Sequence, residues 1–287
     1  LERALEEGFE PHLAFWNTVV RACAKAGRTD YAAACLEKME VAGIRPDEST
    51  FLGAIISLED KGKSAEAEQW LQKMKAAGIK PSSMFYNAML QRCQKAADPA
   101  SASDWLGRMR SAGLQPQESS YSSFIQACAR ASQPDAAIEW FGKMQAARVQ
   151  PSQASYSNVL ESFVAPGRAR DAVGWFNAME EAGFAPDWRT YVSVVKAVAQ
   201  AGEVDATSRW VEAMNDAGFG PDRVAYGALV DACANARRPA DAVAWLKHME
   251  EESLQPNVIT YTSVIDACAR AGQADAAAAW LCRMPEV

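Results

Sequence analysis

The stretch YTSVIDACARAGQADAAAAWLCRM, residues 261–284, contains two helical segments separated by a glycine. Apolar residues of the first segment recur at three- and four-residue spacing and so share one face of a helix: Tyr261, Val264, Ile265 and Cys268. Gly272 ends this helix. A second helix then presents its own apolar face: Ala277, Trp280, Leu281 and Met284. The sequence contains no run of alternating apolar and polar residues bounded by turns, so no strand is predicted.

Four residue classes repeat along the chain with one step of 35. Trp occurs at 70, 105, 140, 175, 210, 245 and 280. Met occurs four residues after each Trp, and also at 39. Pro occurs at 11, 46, 81, 116, 151, 186, 221 and 256, and an aromatic residue follows each Pro by five positions. Four classes on one period exclude chance, and the chain is therefore a repeat array.

The repeats are numbered here from 1 to 35 so that Pro stands at position 34. Seven complete repeats result: 13–47, 48–82, 83–117, 118–152, 153–187, 188–222 and 223–257. A truncated eighth occupies 258–287, and residues 1–12 match the last third of a preceding repeat. A single helix pair cannot bury its apolar face alone, so neighbouring pairs must stack. We therefore expect an all-α, right-handed superhelical solenoid of helix–turn–helix repeats, with the first helices inside and the second helices outside.

Composition limits the function classes. The apolar share of 49% and charged share of 23% predict an ordinary folded protein, and no apolar run is long enough for a membrane span. No signal-peptide pattern opens the chain. A net charge of -7 argues against general polyanion binding. No phosphate loop, nucleophile elbow or carboxylate pair with a partner base is present, so we expect no enzyme activity.

The cysteines and histidines do not predict a metal or cofactor site. Five of the seven cysteines stand at repeat position 11: Cys23, Cys93, Cys128, Cys233 and Cys268. Equivalent positions in stacked repeats lie about a helix spacing apart, too far for a disulfide, and no Cys-x-x-Cys pair exists for zinc. These cysteines are expected to pack as small apolar residues. The two histidines, His12 and His248, leave little for acid–base chemistry.

The repeat unit resembles the pentatricopeptide repeat. It has an aromatic at position 4, Gly near 15, Ala at 20, Met at 27 and Pro at 34. Tyr261–Gly272 (YTSVIDACARAG) and Ala42–Asp47 (AGIRPD) are similar to the two ends of that repeat. The 34-residue tetratricopeptide repeat has another period and carries its Trp in the first helix, whereas this chain carries Trp in the second. Uninterrupted 35-residue units resemble the P class of the family.

The resemblance implies that each repeat recognises one base of single-stranded RNA. In the family, positions 5 and 35 recognise the base, which here implies Asn17, Asp47, Asn87, Gln117, Ser122, Ser152, Ser157, Asp187, Asp222, Asn257 and Thr262. The implied register is 5′-U-n-Y-A-G-n-n-R, with U from Asn17 and Asp47 and G from Ser157 and Asp187. Leu52, Val192 and Gly227 cannot make the usual polar pair at position 5, so repeats 48–82, 188–222 and 223–257 are left without an assigned base.

The family also places an aliphatic residue at position 2 against the base and a basic residue at position 13 against a phosphate. The matching residues are Met84, Val224 and Ile259 at position 2, and Lys25, Lys95, Arg130 and Arg270 at position 13. Positions 1–14 of the eight repeats carry a summed charge of +3, and the rest of the chain carries -10. The first-helix layer is therefore positive, as phosphate contacts require.

Two functions remain open from the residues. One is sequence-selective RNA binding in the processing, stabilisation or translation of transcripts, which the resemblance places in a mitochondrion or chloroplast. The alternative is a protein-binding scaffold with no RNA activity. Five of eight residues at position 5 and all seven at position 35 are polar, which favours RNA. The Trp series could stack on bases, but its place on the second helix favours packing between repeats.

Overall fold

A computed structural model describes residues 12–220 and 222–284. The described residues form sixteen α-helices and no strand, which confirms an all-α fold of helix–turn–helix repeats. The first helices of the repeats are α1 (Leu13–Lys25), α3 (Glu48–Glu59), α5 (Ser83–Ala96), α7 (Glu118–Arg130), α9 (Gln153–Ser162), α11 (Trp188–Gln200), α13 (Arg223–Asn235) and α15 (Val258–Arg270). The second helices are α2 (Thr29–Val41), α4 (Ser64–Ala76), α6 (Pro99–Ser111), α8 (Pro134–Ala146), α10 (Ala169–Glu181), α12 (Val204–Asp216), α14 (Pro239–Glu251) and α16 (Ala274–Arg283). None of these helices is long and apolar enough to cross a membrane.

The helix boundaries keep to fixed repeat positions. Every first helix begins at position 1 and every second helix at position 17, so successive starts lie 35 residues apart. Three second helices begin with proline, at Pro99, Pro134 and Pro239, where a missing N–H removes no hydrogen bond. The shortest first helix, α9, ends at Ser162 because Pro166 disfavours helix in the preceding turn. Local sequence therefore determines where each helix begins and ends.

The turn at position 15 requires a left-handed backbone. Gly27 has φ of +80° there, and the N–H of the next residue donates to the carbonyl of Cys23 and closes the helix end. Other repeats place non-glycine residues in the same conformation, with φ of +55° at Ser132 and +57° at Arg237. Each costs about 1 kcal/mol relative to an unstrained backbone. The left-handed turn at position 15 is thus present even in repeats that have no glycine there.

The chain divides into two compact units. One comprises the described part of Leu1–Arg92 with Asp104–Gln115, and the other comprises Cys93–Ser103 with the described part of Pro116–Val287. In the first unit, α1 packs on α3. In the second, consecutive first helices pack in the order α7, α9, α11, α13 and α15, and each second helix packs on its own first helix. The stacking that the repeats require is therefore present within each unit.

The seven complete repeats each bury a methionine at position 27 and an aromatic residue at position 4. The methionine at position 27 has no solvent exposure in seven repeats: Met39, Met74, Met109, Met144, Met179, Met214 and Met249. Truncating such a buried Met to Ala costs about 2–5 kcal/mol. The position-4 aromatics are buried from Trp16 to Tyr226, and Tyr261 is half-buried.

The tryptophans pack differently from the sequence expectation. Each contacts the position-4 aromatic of its own repeat, as in Phe51–Trp70 with ring centroids 6.1 Å apart. Contacts between repeats also occur, as in Phe141–Trp175 at 4.8 Å. The expectation that Trp joins repeats is therefore only partly correct, because the ring also holds the two helices of one repeat together. In this series Trp70, Trp105 and Trp140 are buried, whereas Trp175, Trp210, Trp245 and Trp280 are half-buried.

Four position-11 cysteines are buried as expected: Cys93, Cys128, Cys233 and Cys268. Burial raises the pKa of Cys128 and of Cys233 to about 12. Cys23 is half-buried, and its thiol contacts that of Cys35. Within the described residues, none of the seven cysteines forms a disulfide.

Candidate RNA interface

The residues predicted to recognise bases at position 35 are helix N-caps. Asp187 precedes α11, and its Oδ1 accepts from the N–H of Thr190 at 2.9 Å. The same position caps the next first helix in the other repeats, through Asp47, Ser82, Gln117, Ser152, Asp222 and Asn257. Asp, Asn and Ser are the preferred N-cap residues in any protein. Polarity at position 35 therefore follows from helix capping and does not by itself favour RNA over a scaffold.

In the first repeat, the predicted pair is in direct contact. Asn17 Nδ2 donates to Asp47 Oδ1 at 3.2 Å. Thr50 Oγ1 lies 2.5 Å from Asn17 Oδ1 and 2.8 Å from Asp47 Oδ1, and it also accepts from the Asp47 N–H at 3.0 Å. Within the described chain, all hydrogen bonds that the Asp47 carboxylate accepts go to Oδ1. Its Oδ2 is left for an outside donor.

In the fifth repeat, the predicted pair is joined through a third residue. The Ser157 hydroxyl lies 3.2 Å from Thr190 Oγ1, which donates to Asp187 Oδ1 at 2.7 Å. The arrangement places the Ser157 hydroxyl, the Thr190 hydroxyl and the Asp187 carboxylate in one hydrogen-bonded row. Positions 5 and 35 are thus brought together in this repeat as in the first.

The connecting hydroxyl at position 3 was missed by the sequence analysis. Ser or Thr stands there in five repeats, and all five side chains are buried: Thr50, Ser120, Ser155, Thr190 and Thr260. Thr260 Oγ1 donates to the N-cap Asn257 Oδ1 at 3.0 Å, as Thr190 does to its own N-cap. A Ser or Thr three residues after an N-cap residue resembles a capping box, and that spacing is visible in the sequence. Position 3 therefore orients the position-35 side chain.

The remaining predicted pairs have other partners. Ser122 Oγ accepts from Asn158 Nδ2 at 3.3 Å, and Ser152 Oγ donates to Glu118 Oε1 at 2.5 Å. No direct Ser122–Ser152 hydrogen bond occurs among the described contacts, so this pair would have to rearrange to hold a base.

Two further assignments stay predictions. Thr262 Oγ1 donates to the Val258 carbonyl of its own helix at 2.7 Å. Asn87 lies in the first compact unit and Gln117 in the second, and that pair remains as the sequence predicts it.

The predicted base-flanking residues at position 2 are exposed apolar side chains. Met84 is 67% exposed, Ile259 69% and Val224 36%. Isolated exposed apolar residues are common, but five of the eight large ones in the described chain stand at positions 1 or 2: Met84, Trp188, Val224, Val258 and Ile259. Apolar surface is therefore concentrated beside the position-35 caps.

A cavity of about 380 Å³ opens at Gly227, in a repeat for which the sequence assigned no base. Its walls include the predicted flanking residues Val224 and Ile259 and the predicted base-recognising Asn257. Apart from its chain neighbours and the backbone of its own helix, no heavy atom lies within 4 Å of the point where a Gly227 Cβ would stand. The absent side chain, which the sequence analysis took as a loss of recognition, therefore leaves space between the other predicted contacts.

The predicted phosphate-contacting residues divide into two groups. Lys25, Lys95 and Arg130 are exposed and make no ion pair within the described residues. Arg270 instead pairs with Asp266 through Nε at 2.7 Å and donates to Asn235 Oδ1 at 3.2 Å. A phosphate at Arg270 would have to displace that carboxylate.

Two basic residues missed by the sequence analysis lie with Arg130. A cavity of about 370 Å³ has Arg130, Arg189 and Lys196 on its walls, together with Glu161. Arg189 lies 3.8 Å from the Glu161 carboxylate, so one of the three positive charges is partly neutralised. Lys196 stands at repeat position 9, and it could have been found by mapping charge onto every first-helix position.

Comparison with protein families identifies the repeats. The profile for the pentacotripeptide-repeat region of PRORP matches residues 1–102, 55–172 and 82–204. Profiles for the pentatricopeptide repeat domain, the PPR repeat family and the PPR repeat match 175–236, 221–270 and 259–287. No curated protein matches the chain in sequence.

Solved structures of low sequence identity share the fold. One is the pentatricopeptide repeat protein PPR10 in complex with an 18-nt psaJ RNA element, at TM-score 0.59 and 19% identity, over 98% of this chain. PPR10 from maize matches at TM-score 0.55 and 19% identity, over 99% of this chain and 46% of its own length. The PPR domain of Arabidopsis thaliana protein-only RNase P 1 in complex with tRNA matches at TM-score 0.53 and 19% identity, over 66% of this chain and 98% of that domain.

The chain spans 46% of the length of PPR10 in the RNA complex, and at such identities the structural likeness shows the fold alone. The family profiles, in contrast, match more than half of the chain on its sequence. The chain therefore belongs to the pentatricopeptide repeat family.

Proposed function

We propose that this protein binds single-stranded RNA in a sequence-selective manner, with one base per repeat and the register 5′-U-n-Y-A-G-n-n-R. The binding would serve processing, stabilisation or translation of organelle transcripts, with no catalysis by these repeats. The supporting observation is the contact between positions 5 and 35, direct in Asn17–Asp47 and through Thr190 in Ser157–Asp187. PPR10 in complex with an 18-nt RNA element and the Arabidopsis PPR domain in complex with tRNA support RNA in general as the ligand.

The free carboxylate oxygen selects bases by their hydrogen-bond pattern. Asp47 Oδ2 can only accept, so it favours a base with a ring N–H on its pairing edge. Uracil and guanine have such an N–H, whereas cytosine and adenine present a bare nitrogen acceptor at the same place. An Asp at position 35 therefore favours U or G, and the side chain at position 5 decides between them.

The position-5 side chain then acts through size and donor capacity. The Asn17 amide has two N–H groups, of which one binds Asp47 and the other can donate to a carbonyl of a small uracil. The shorter Ser157 hydroxyl leaves more room, which suits guanine. Capping and recognition are compatible because the cap uses Oδ1 and the base would use Oδ2.

A reciprocal exchange within the chain tests this proposal. Asn17→Ser gives the first repeat the pair of the fifth, and Ser157→Asn gives the fifth the pair of the first. In selection from a random RNA pool, the first variant is expected to change U to G at one end of the register. The second should change G to U four bases away. One correctly paired base contributes about 1–3 kcal/mol of discrimination, so each preference should change by about fivefold to 150-fold.

Thr18→Ser is the matched control, because Thr18 is the exposed neighbour of Asn17 and its hydroxyl donates to the Ala14 carbonyl of its own helix. It should leave the selected sequence unchanged. If RNA is enriched but the two exchanges leave U and G in place, the assignment of positions 5 and 35 is wrong. If no RNA is enriched even at low salt, the scaffold alternative is correct.

A further inference from the structure

The second helices cover their own tryptophans with basic side chains in half of the repeats. Position 26 lies one turn after the Trp at position 23. Lys143 Nζ lies 4.1 Å from the ring centroid of Trp140, and Arg108 Cζ lies 4.8 Å from that of Trp105. Lys73 and Arg283 make the same contact at 5.6 and 4.9 Å. A cation over an indole face is attracted by the ring, so these contacts show that the face of the position-23 indole binds a cationic group.

Repeats 5 to 7 lack this internal cation. Position 26 is occupied there by Ala178, Ala213 and His248. The corresponding tryptophans, Trp175, Trp210 and Trp245, are half-buried, whereas those of repeats 2 to 4 are at most 8% exposed. We refer to these three tryptophans and their position-26 residues as the uncovered surface.

A cavity of about 280 Å³ lies on this surface in repeats 6 and 7. Tyr226, Trp245 and His248 form an aromatic wall, with every pair of ring centroids 5.7 to 6.4 Å apart. Glu212 and Glu252 line the same cavity. Aromatic rings with nearby carboxylates form the type of pocket that holds a cationic group.

The charge of the surrounding layer is strongly asymmetric. Positions 15–34 of repeats 5 to 7 contain eleven acidic and six basic residues, a net charge of -5. The same positions of repeats 1 to 4 sum to +2. The acidic charge of the protein is therefore concentrated in the repeats whose tryptophans lack a cation. Phosphate would be repelled there, which separates this surface from RNA binding.

We propose that the uncovered surface binds a segment rich in Lys and Arg from a partner protein, with one cationic side chain in the Tyr226–Trp245 cavity. The cationic group stacks on Trp245 as Lys143 stacks on Trp140, and Glu212 and Glu252 balance its charge. Neighbouring basic residues of the segment contact the acidic second helices. This surface shares no residue with the proposed RNA interface, whose residues stand at repeat positions 2, 5, 13 and 35.

The test uses a fluorescein-labelled decapeptide of alternating Lys and Gly, with fluorescence anisotropy at low salt. An N-acetyl-lysine version of the peptide is the control for charge. The central variant is His248→Lys, which supplies an internal cation at position 26 as in repeats 2 and 4. Its matched control is Ala240→Lys, which adds the same charge at an exposed position of α14 before Trp245. Circular dichroism verifies that both variants remain folded.

The lysine peptide is expected to bind and the acetylated peptide to bind at least about tenfold more weakly. His248→Lys should weaken the lysine peptide by about tenfold, because the internal cation occupies the ring, and Ala240→Lys by about twofold or less. Equal weakening by the two variants would show general charge attraction and overturn the cavity assignment. Equal binding of the two peptides, or no binding of either, would overturn the proposal altogether.

Discussion

Asp187 allows the capping role and the recognition role of position 35 to be separated by mutation. Its Oδ1 accepts from the Thr190 N–H at 2.9 Å and from the Thr190 hydroxyl at 2.7 Å, and Thr190 is fully buried. Loss of an N-cap costs about 1 kcal/mol. A buried hydroxyl that loses its acceptor costs about 1–3 kcal/mol, although Ser157 Oγ at 3.2 Å can accept in part. Asp187→Ala should therefore lower the free energy of unfolding by about 2 kcal/mol.

Asp187→Asn should cost less than about 0.5 kcal/mol, because Asn is as good a cap as Asp. The chain contains this arrangement already, since Asn257 Oδ1 accepts from the N–H and hydroxyl of Thr260 at 3.0 Å. The Asn variant should nevertheless lose its preference for G, because its amide replaces the acceptor-only carboxylate.

Hydrogen exchange of the Thr190 amide is the most direct assay, because unfolding of a repeat array need not be two-state. Protection of that amide should fall by about thirtyfold in Asp187→Ala and by about twofold or less in Asp187→Asn. Urea unfolding measures the free energy of unfolding of the whole chain. If the Ala and Asn variants are equally stable, Asp187 is not a significant cap, and the polarity of position 35 again favours RNA recognition.

Four further predictions concern individual side chains. Gly227→Ala should raise the free energy of unfolding by about 0.5–1 kcal/mol in thermal or urea unfolding, because Gly weakens a helix interior. No heavy atom outside the chain neighbours and the backbone of its own helix lies within 4 Å of the new methyl. A decrease in the free energy of unfolding would show that the cavity wall is less open than described. Burial raises the pKa of Cys128 and of Cys233 to about 12, so a thiol reagent at pH 8 should modify the exposed Cys282 far faster than either. Since unfolding lets both buried thiols ionise at a lower pH, stability should fall as pH rises above the unfolded pKa of 9.0; an unchanged melting temperature between pH 8 and 10 would contradict this. Arg130→Gln should reduce the steepness of log RNA affinity plotted against log salt concentration by about 0.7 in a salt titration. An unchanged slope would show that Arg130 does not contact an RNA phosphate.

The sequence predicts the helical array well because its signals are local and repeated. Pro239 sets the start of a second helix through its own missing N–H, and Gly272 ends a first helix through its own backbone freedom. Neither effect depends on a distant residue. The 35-residue period then repeats such signals along the chain, with Pro at the start of three second helices and Gly at position 15 of five repeats.

The candidate site was less predictable because its side chains bind partners in the next repeat. Ser122 belongs to one repeat, and its partner Asn158 lies 36 positions away in the next. The Asp266 carboxylate lies four residues before Arg270 on the same helix, a favourable spacing for an ion pair, so this pairing could have been anticipated. The cavity at Gly227 is formed by residues of several helices that surround the missing side chain, and a local sequence pattern does not predict such an arrangement.

The fixed spacing of helix starts has a consequence for how such a gene can change. Because first helices begin every 35 residues, duplication or deletion of any 35-residue window preserves the order of helix, turn and cap, wherever the window begins. The break points need not coincide with a domain boundary or a loop. A polar residue at position 35 also occupies the N-cap of the next first helix, and its Oδ1 accepts from the N–H three residues later at the Asp47, Asp187 and Asn257 junctions. Unequal recombination within the coding sequence would therefore lengthen or shorten the array by whole modules while each junction keeps its cap.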